Sequence, residues 1–152
     1  MSSTEKERAE ITALLDRWIA AFRKKDINGV RAAWDDKYDS LVYQAEEFAG
    51  PLTNWLHIKH YYREVLTKLI ASVDKWERTG LWINTSGDLG FAYSVSNFTM
   101  SVKGMDKPYS GTVRQTFVVR RVSGAWKIVH YHESLQTMPT PESFKLDEPD
   151  AP

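Results

Sequence analysis

The eleven residues GAWKIVHYHES, Gly124–Ser134, decide how this chain is read. From Trp126 to Ser134 aromatic and β-branched residues recur among polar ones, the period-two signature of a strand with one buried face. Ser123-Gly124-Ala125 stands in front of it, and Gly124 supplies the left-handed conformation of a three-residue hairpin loop. Gly111–Val122 on the other side of that loop has the same texture, so the two segments predict an antiparallel hairpin. A three-residue loop pairs Val122 with Trp126, Phe117 with Tyr131 and Gln115 with Glu133. Side chains then alternate between faces. Val113, Gln115, Phe117, Val119, Val129, Tyr131 and Glu133 share one; Arg114, Thr116, Trp126, Ile128, His130 and His132 share the other. A slip of one residue exchanges the two sets.

Working outward, residues 73–85 and 89–103 carry many aromatic and β-branched residues, with the turn signal Ser86-Gly87-Asp88 between them. A second turn, Gly104–Pro108, leads back to Gly111. These four strands predict a meander. The N-terminal half has a different period. Ile11, Leu14, Leu15, Trp18, Ile19 and Phe22 recur at helical spacing, with Thr4 and Glu7 placed as a capping box and Lys24 and Lys25 at the far end. Asp26 can cap a short second helix carrying Val30, Ala33 and Trp34. A strand is predicted around Ser40–Tyr43. After the Gly50-Pro51 break, Thr53 or Asn54 starts a third helix with the stripe Ile58, Tyr62, Val65 and Leu69. Three helices and an antiparallel sheet make an α+β domain over 1–136, in which the helices cover one face of a curved sheet. Residues 137–152 hold four of the six prolines and read as a flexible acidic tail.

At 152 residues the chain is long enough to bury a core as one domain. Hydrophobic residues at 42% and charged ones at 26% match a globular protein, and 20 basic against 20 acidic residues give no net charge. That balance argues against nucleic-acid or electrostatic membrane partners. Cysteine is absent, so disulfides and thiolate chemistry are excluded. Neither a signal core nor a membrane-spanning run is visible, and a cytoplasmic location is expected. Six Trp and seven Tyr exceed ordinary structural need and make a ligand cavity plausible.

Three stretches carry a family resemblance. RWIAAFRKKDINGVRAAW (Arg17–Trp34) resembles the opening of ketosteroid-isomerase-like and SnoaL-like proteins, with its D-x-x-(G/A) turn at Asp26–Gly29. YQAEEFAGPLTNWLHIKHYYREVL (Tyr43–Leu66) is similar to their next strand, loop and third helix. GAWKIVHYHES resembles the last strand of SnoaL-like proteins and of the calcium/calmodulin-dependent kinase association domain. The resemblance implies the nuclear transport factor 2-like (cystatin-like) fold, a cone of bent sheet around helices with a pocket between them. It places the Gln115–Glu133 face inward, together with Phe91, Tyr93, Val95 and Asn97. Members of this superfamily differ widely in chemistry, so fold alone does not assign function.

The family's catalytic positions are altered here. The steroid isomerase's helix-one Tyr corresponds to Trp18, its strand Asp to Gln44-Ala45, and its second acid to Phe117 or Val118. The association domain's inward arginines correspond to Val95, Phe117 and Glu133. The pocket so predicted is aromatic with one acid, which suits neutral, hydroxylated or cationic ligands over carboxylates.

Glu133 is the leading acid/base candidate, since desolvation raises a carboxyl's pKa towards neutrality. Tyr131 can orient or protonate a substrate oxygen. His130 and His132 form an H-x-H pair whose spacing can chelate a metal, with His57 or His60 as a third ligand. A packing or interface role is favoured over a metal, but a register slip would bring both histidines into the pocket as acid/base groups. Trp18, Tyr43, Tyr61, Tyr93, Val95, Asn97, Gln115, Phe117 and Val129 are the expected ligand contacts. Glu46 and Glu47 lie at the pocket rim, where adjacent strand residues would point opposite ways. No cofactor motif is present. Trp126, Ile128, Phe98 and Met100 are expected on the outer sheet face, where they motivate a homodimer. Two functions remain open: a cofactor-free lyase, cyclase or isomerase for a neutral, hydrophobic, oxygenated small molecule, and a non-catalytic ligand-binding or oligomerisation module.

Overall fold

A computed structural model describes residues 3–136; the tail expected at 137–152 lies outside them. The elements follow in the order α1 (Ser3–Arg23), α2 (Ile27–Ala33), β1 (Val42–Gln44) and α3 (Trp55–Glu64). A π-helical turn (Val65–Leu69) then feeds β2 (Ile70–Ser86), β3 (Leu89–Val102), β4 (Tyr109–Val122) and β5 (Ala125–Leu135). The sheet order is β1-β5-β4-β3-β2. β2 to β5 form the predicted antiparallel meander, while β1 joins β5 in parallel and makes the sheet mixed. Among the described residues no helix is long and apolar enough to cross a membrane.

Local chemistry explains most boundaries. Asp26 caps α2 by accepting from the Gly29 amide at 3.0 Å, and Asn54 caps α3 by accepting from the His57 amide at 2.9 Å. The capping box at Thr4 and Glu7 does not form: α1 already includes Thr4. Glu7 instead accepts from the Thr85 hydroxyl and pairs with Arg121, each at 2.7 Å, which ties α1 to the sheet. The π turn adds a residue to the third helix's last turn and displaces its stripe. Leu66, not Val65 or Leu69, is buried there with Ile70 and Val73.

The β4–β5 hairpin corrects the predicted loop. Ser123 and Gly124 have φ of 49° and 82°, and Val122 pairs with Ala125, so the loop has two residues with both in the left-handed region. Trp126 then lies opposite Arg121 and Ile128 opposite Val119. A bulge at Val129 restores the predicted register beyond it, with Phe117 opposite Tyr131 and Gln115 opposite Glu133. One extra residue reverses the parity of the strand. Trp126 and Ile128, expected outside, are therefore 4% and 0% exposed in the core, and the Trp126 indole donates to Glu10 at 3.2 Å.

β3 is inverted relative to expectation. Its inward residues are Ala92, Ser94, Ser96, Phe98 and Met100, of which Phe98 and Met100 had been assigned outside. Phe91, Tyr93, Val95 and Asn97 point outward. Ala92 and Ser94 pair with the bulky Phe117 and Gln115, so the crowded interior takes the small side chains and leaves the aromatics outside. The main core joins Ile11, Leu14, Leu15 and Trp18 of α1 to Val30, Ile58, Tyr62, Phe117 and Tyr131.

Candidate active site

The helical stripe that buries Leu14 and Leu15 also carries Trp18 into the cone. Its ring meets Phe117 edge-on at 5.4 Å and Tyr131 at 5.5 Å, and its indole N–H donates to the Tyr62 hydroxyl at 3.2 Å. The parallel pairing of β1 with β5 sets Tyr43 beside Tyr131, and the rings stack at 5.0 Å with an interplanar angle of 17°. Tyr61 of α3 closes on Tyr43 at 5.2 Å. These rings bound a cavity of about 510 Å³. On its β1–β5 side stand Tyr43, Tyr131, Glu133 and the turn residues Glu46 and Glu47. On its β2–β3 side the lining is apolar, including Ile70, Trp76, Phe98 and Met100.

Glu133 and Tyr131 are two residues apart on β5 and so share a face. The Tyr131 hydroxyl donates to Glu133, and buried Gln115, opposite Glu133 on β4, donates from its amide nitrogen to the Tyr131 hydroxyl at 2.8 Å. Tyr61 donates to Glu47. Carboxylate oxygens of Glu46, Glu47 and Glu133 all lie within 4.8 Å of one another. Burial, then the hydrogen bond and negative charge of Glu46, push the Glu133 carboxyl well above the usual carboxylate range; the bond from Tyr131 opposes them. Tyr43, Tyr61, Tyr62 and Tyr131 are all pushed up, chiefly by burial, and remain protonated donors at neutral pH. The chemistry such a set can perform is proton transfer: one carboxyl raised well above its ordinary range, phenols that donate, and apolar walls. Its oxygen donors also have the type a hard cation takes.

Of the residues singled out in the sequence, Trp18, Tyr43, Tyr61, Tyr131 and Glu133 line this cavity. Gln115 and Phe117 are buried directly behind it, and Val129 is the buried bulge residue. Tyr93, Val95 and Asn97 stand on the outer face of β3, away from the cavity, because of the inversion described above. His130 and His132 also point outward; burial and the neighbouring His132 hold His130 below its ordinary range. Glu46 and Glu47 depart from the strand expectation. Both follow β1 in a turn, where the alternation of a strand does not apply, and both reach the cavity. Sequence reasoning missed the β2–β3 side entirely, though the inward placement of Phe98 and Met100 followed from the same parity that inverted β3.

The sequence profile of the SnoaL-like domain matches residues 11–139, most of the chain. The chain belongs to the SnoaL-like family. No curated protein matches this SnoaL-like chain in sequence. Solved structures similar to it include a nuclear transport factor 2-like superfamily protein from Salmonella enterica serovar Typhimurium, 18% identical, with TM-score 0.80 over 93% of this chain and 99% of that one. Another, named as a calcium/calmodulin-dependent protein kinase II association domain and from Xanthomonas campestris, is 23% identical, with TM-score 0.69 over 84% and 86%. A third, named as a type 2 hexachlorocyclohexane dehydrochlorinase, is 14% identical, with TM-score 0.75 over 96% of each chain. These likenesses show the nuclear transport factor 2-like fold. Proteins sharing it include ones named as dehydratases, a dehydrochlorinase and a ketosteroid isomerase-like protein.

Proposed function

We propose that this SnoaL-like protein is a cofactor-free acid/base enzyme, a lyase, cyclase or isomerase, for a hydrophobic, oxygenated small molecule that is neutral at its reacting end. The supporting observation is the Glu133 carboxyl, bonded to Tyr131 in an aromatic cavity beside two further carboxylates. Glu133 takes a proton from carbon next to a substrate carbonyl, and a phenol such as Tyr61, turning its proton away from Glu47, donates a hydrogen bond to the resulting enolate oxygen. Returning the proton at another carbon completes an isomerisation; returning it from Glu133 to a β-hydroxyl, which leaves as water as the enolate collapses, completes a dehydration. Three acids line the cavity, with no Lys, Arg or His among its described lining residues, which disfavours a carboxylate substrate.

The test is exchange of α-protons for deuterium in hydrophobic ketones, followed by NMR. The wild type is expected to accelerate exchange and Glu133→Gln to return it to background. Undiminished exchange in Glu133→Gln overturns the role given to Glu133.

One observation favours the second reading, an assembly module. The outer sheet face exposes Trp82 at 58%, Leu89 at 56% and Phe91 at 46%, and Trp82 folds over Gly80, where a Cβ would come within 2.7 Å of its ring. Further copies of the chain packed on this face, from a dimer up to a ring, would cover them. Native mass spectrometry distinguishes the outcomes: a dimer retaining a small molecule supports the enzyme, whereas a many-subunit ring with an empty pocket supports the module.

A further inference from the structure

We infer that Gln115 is a positioning residue, whose amide fixes the direction of the hydrogen-bond chain Gln115–Tyr131–Glu133 and so keeps Glu133 a proton acceptor. The inference rests on the reading of Glu133 as the base. Gln115 is 2% exposed and Tyr131 is 1% exposed, so water cannot substitute for a partner in this chain. A phenol has one proton to give. With the Gln115 nitrogen donating to the Tyr131 oxygen at 2.8 Å, that proton is directed to Glu133. The opposite polarity would have Glu133 protonated and donating to Tyr131, with Tyr131 donating to the amide oxygen of a turned Gln115. The two polarities therefore differ in which end of the Gln115 amide meets the phenol, and in the structure it is the nitrogen.

The carboxylate needs this support because its other neighbours oppose ionisation. Facing Glu133 are Glu46 and Glu47 from the turn after β1, Tyr43 from β1, Tyr61 and Tyr62 from α3, and Tyr109 at the start of β4. None of these is positively charged. Tyr131 is the group whose hydrogen bond favours the ionised form, and Gln115 is what aims it.

The experiment is a ¹³C carboxyl NMR titration of protein labelled at glutamate, with the Glu133 signal assigned by its loss in Glu133→Gln. Gln115→Met keeps the side chain's length and removes only the amide; Gln115→Glu supplies a competing acceptor for the phenol proton. The Glu133 midpoint is expected to rise by about one unit, a tenfold change, in Gln115→Met and further in Gln115→Glu. In the wild type the Gln115 side-chain amide signals should shift with the same midpoint as Glu133, a readout that needs no variant. An unchanged midpoint in the folded variants, or Gln115 amide signals that ignore the titration of Glu133, overturns the inference. The titration uses no substrate, so its failure is distinct from failure of the enzyme reading: a rise in midpoint without any turnover would leave the wiring standing and remove the reaction.

Discussion

Replacing Glu133 with Gln keeps the shape of the side chain and removes its charge, and the structure fixes how stability should respond. In the unfolded chain this carboxyl titrates near its ordinary value of 4.5, and in the fold burial and Glu46 hold it well above that. Between those two values the native state binds a proton that the unfolded state has released. Wild-type stability therefore falls as pH rises through the window, and the loss is complete above the folded value. Burial is the largest cause, and the part that the neighbouring charges add follows from geometry. Carboxylate oxygens lie within 4.8 Å, and two unit charges at that distance repel by about 0.9 kcal/mol in bulk water and about 3.5 kcal/mol at an effective dielectric of about 20. Glu46 and Glu47 are exposed, which keeps the figure below that upper value, at about 1–3 kcal/mol. The glutamine oxygen still accepts from Tyr131, so the bond persists without the charge. Relative to wild type, Glu133→Gln should gain stability as pH rises from 4, by at least that amount once Glu133 is ionised, on the order of 2–10 °C in Tm for a domain of this size. Thermal unfolding followed by circular dichroism at pH 4, 6 and 8 in low salt measures it. A Tm difference that stays constant across pH, or that moves against the variant as pH rises, would refute the reasoning.

Tyr62→Phe should cost about 1–3 kcal/mol in urea unfolding, because it leaves the buried Trp18 indole N–H without its acceptor; a change below about 0.5 kcal/mol would mean another acceptor serves. Deleting Val129 removes the bulge and leaves β5 in regular alternation, with Ile128 still opposite Val119 and His130 still opposite Val118. Trp126, Ile128, Tyr131 and Glu133 all keep their inward places, so we expect a folded protein that loses only the burial of one valine, about 1–3 kcal/mol, and a deletion variant that fails to fold would contradict the parity argument.

How far the sequence could be read depended on what kind of signal each residue carries. Helices α1 to α3 were legible because a stripe such as Ile11, Leu14, Leu15 and Trp18 repeats its message several times, and Asp26 and Asn54 have the chemistry of caps. The candidate site was legible at Tyr131 and Glu133, yet partly through compensation. The hairpin loop is one residue shorter than expected, and the bulge at Val129 adds that residue back before the strand reaches the pocket. No local pattern in WKIVHY announces a bulge, since the lost ladder bond is offset by burial of both Ile128 and Val129. Tyr93 and Phe91 misled for a different reason. Aromatics favour burial in general, but the space beside Phe117 and Gln115 admits only Ala92 and Ser94. Glu46 and Glu47 reach the cavity through the path of a turn, which period-two reasoning does not describe.

The parallel pairing of β1 with β5 also orders events in time. Every other strand pair joins neighbours in the chain through a short connection, the longest being residues 103–108, whereas Tyr43 meets Tyr131 across 88 positions (131 − 43). Closing so long a loop costs more entropy than any hairpin in the sheet, and three residues of ladder return little for it. The meander can therefore zip up while β1 is still loose. Until β1 docks, Glu46 and Glu47 have no reason to be near Glu133, and the stack of Tyr43 on Tyr131 does not exist. The repulsion that adds to the effect of burial on the carboxyl is thus a late product of folding: an intermediate with a complete meander would lack the Glu46 and Glu47 share of the upward shift, which would arrive only with the docking of β1.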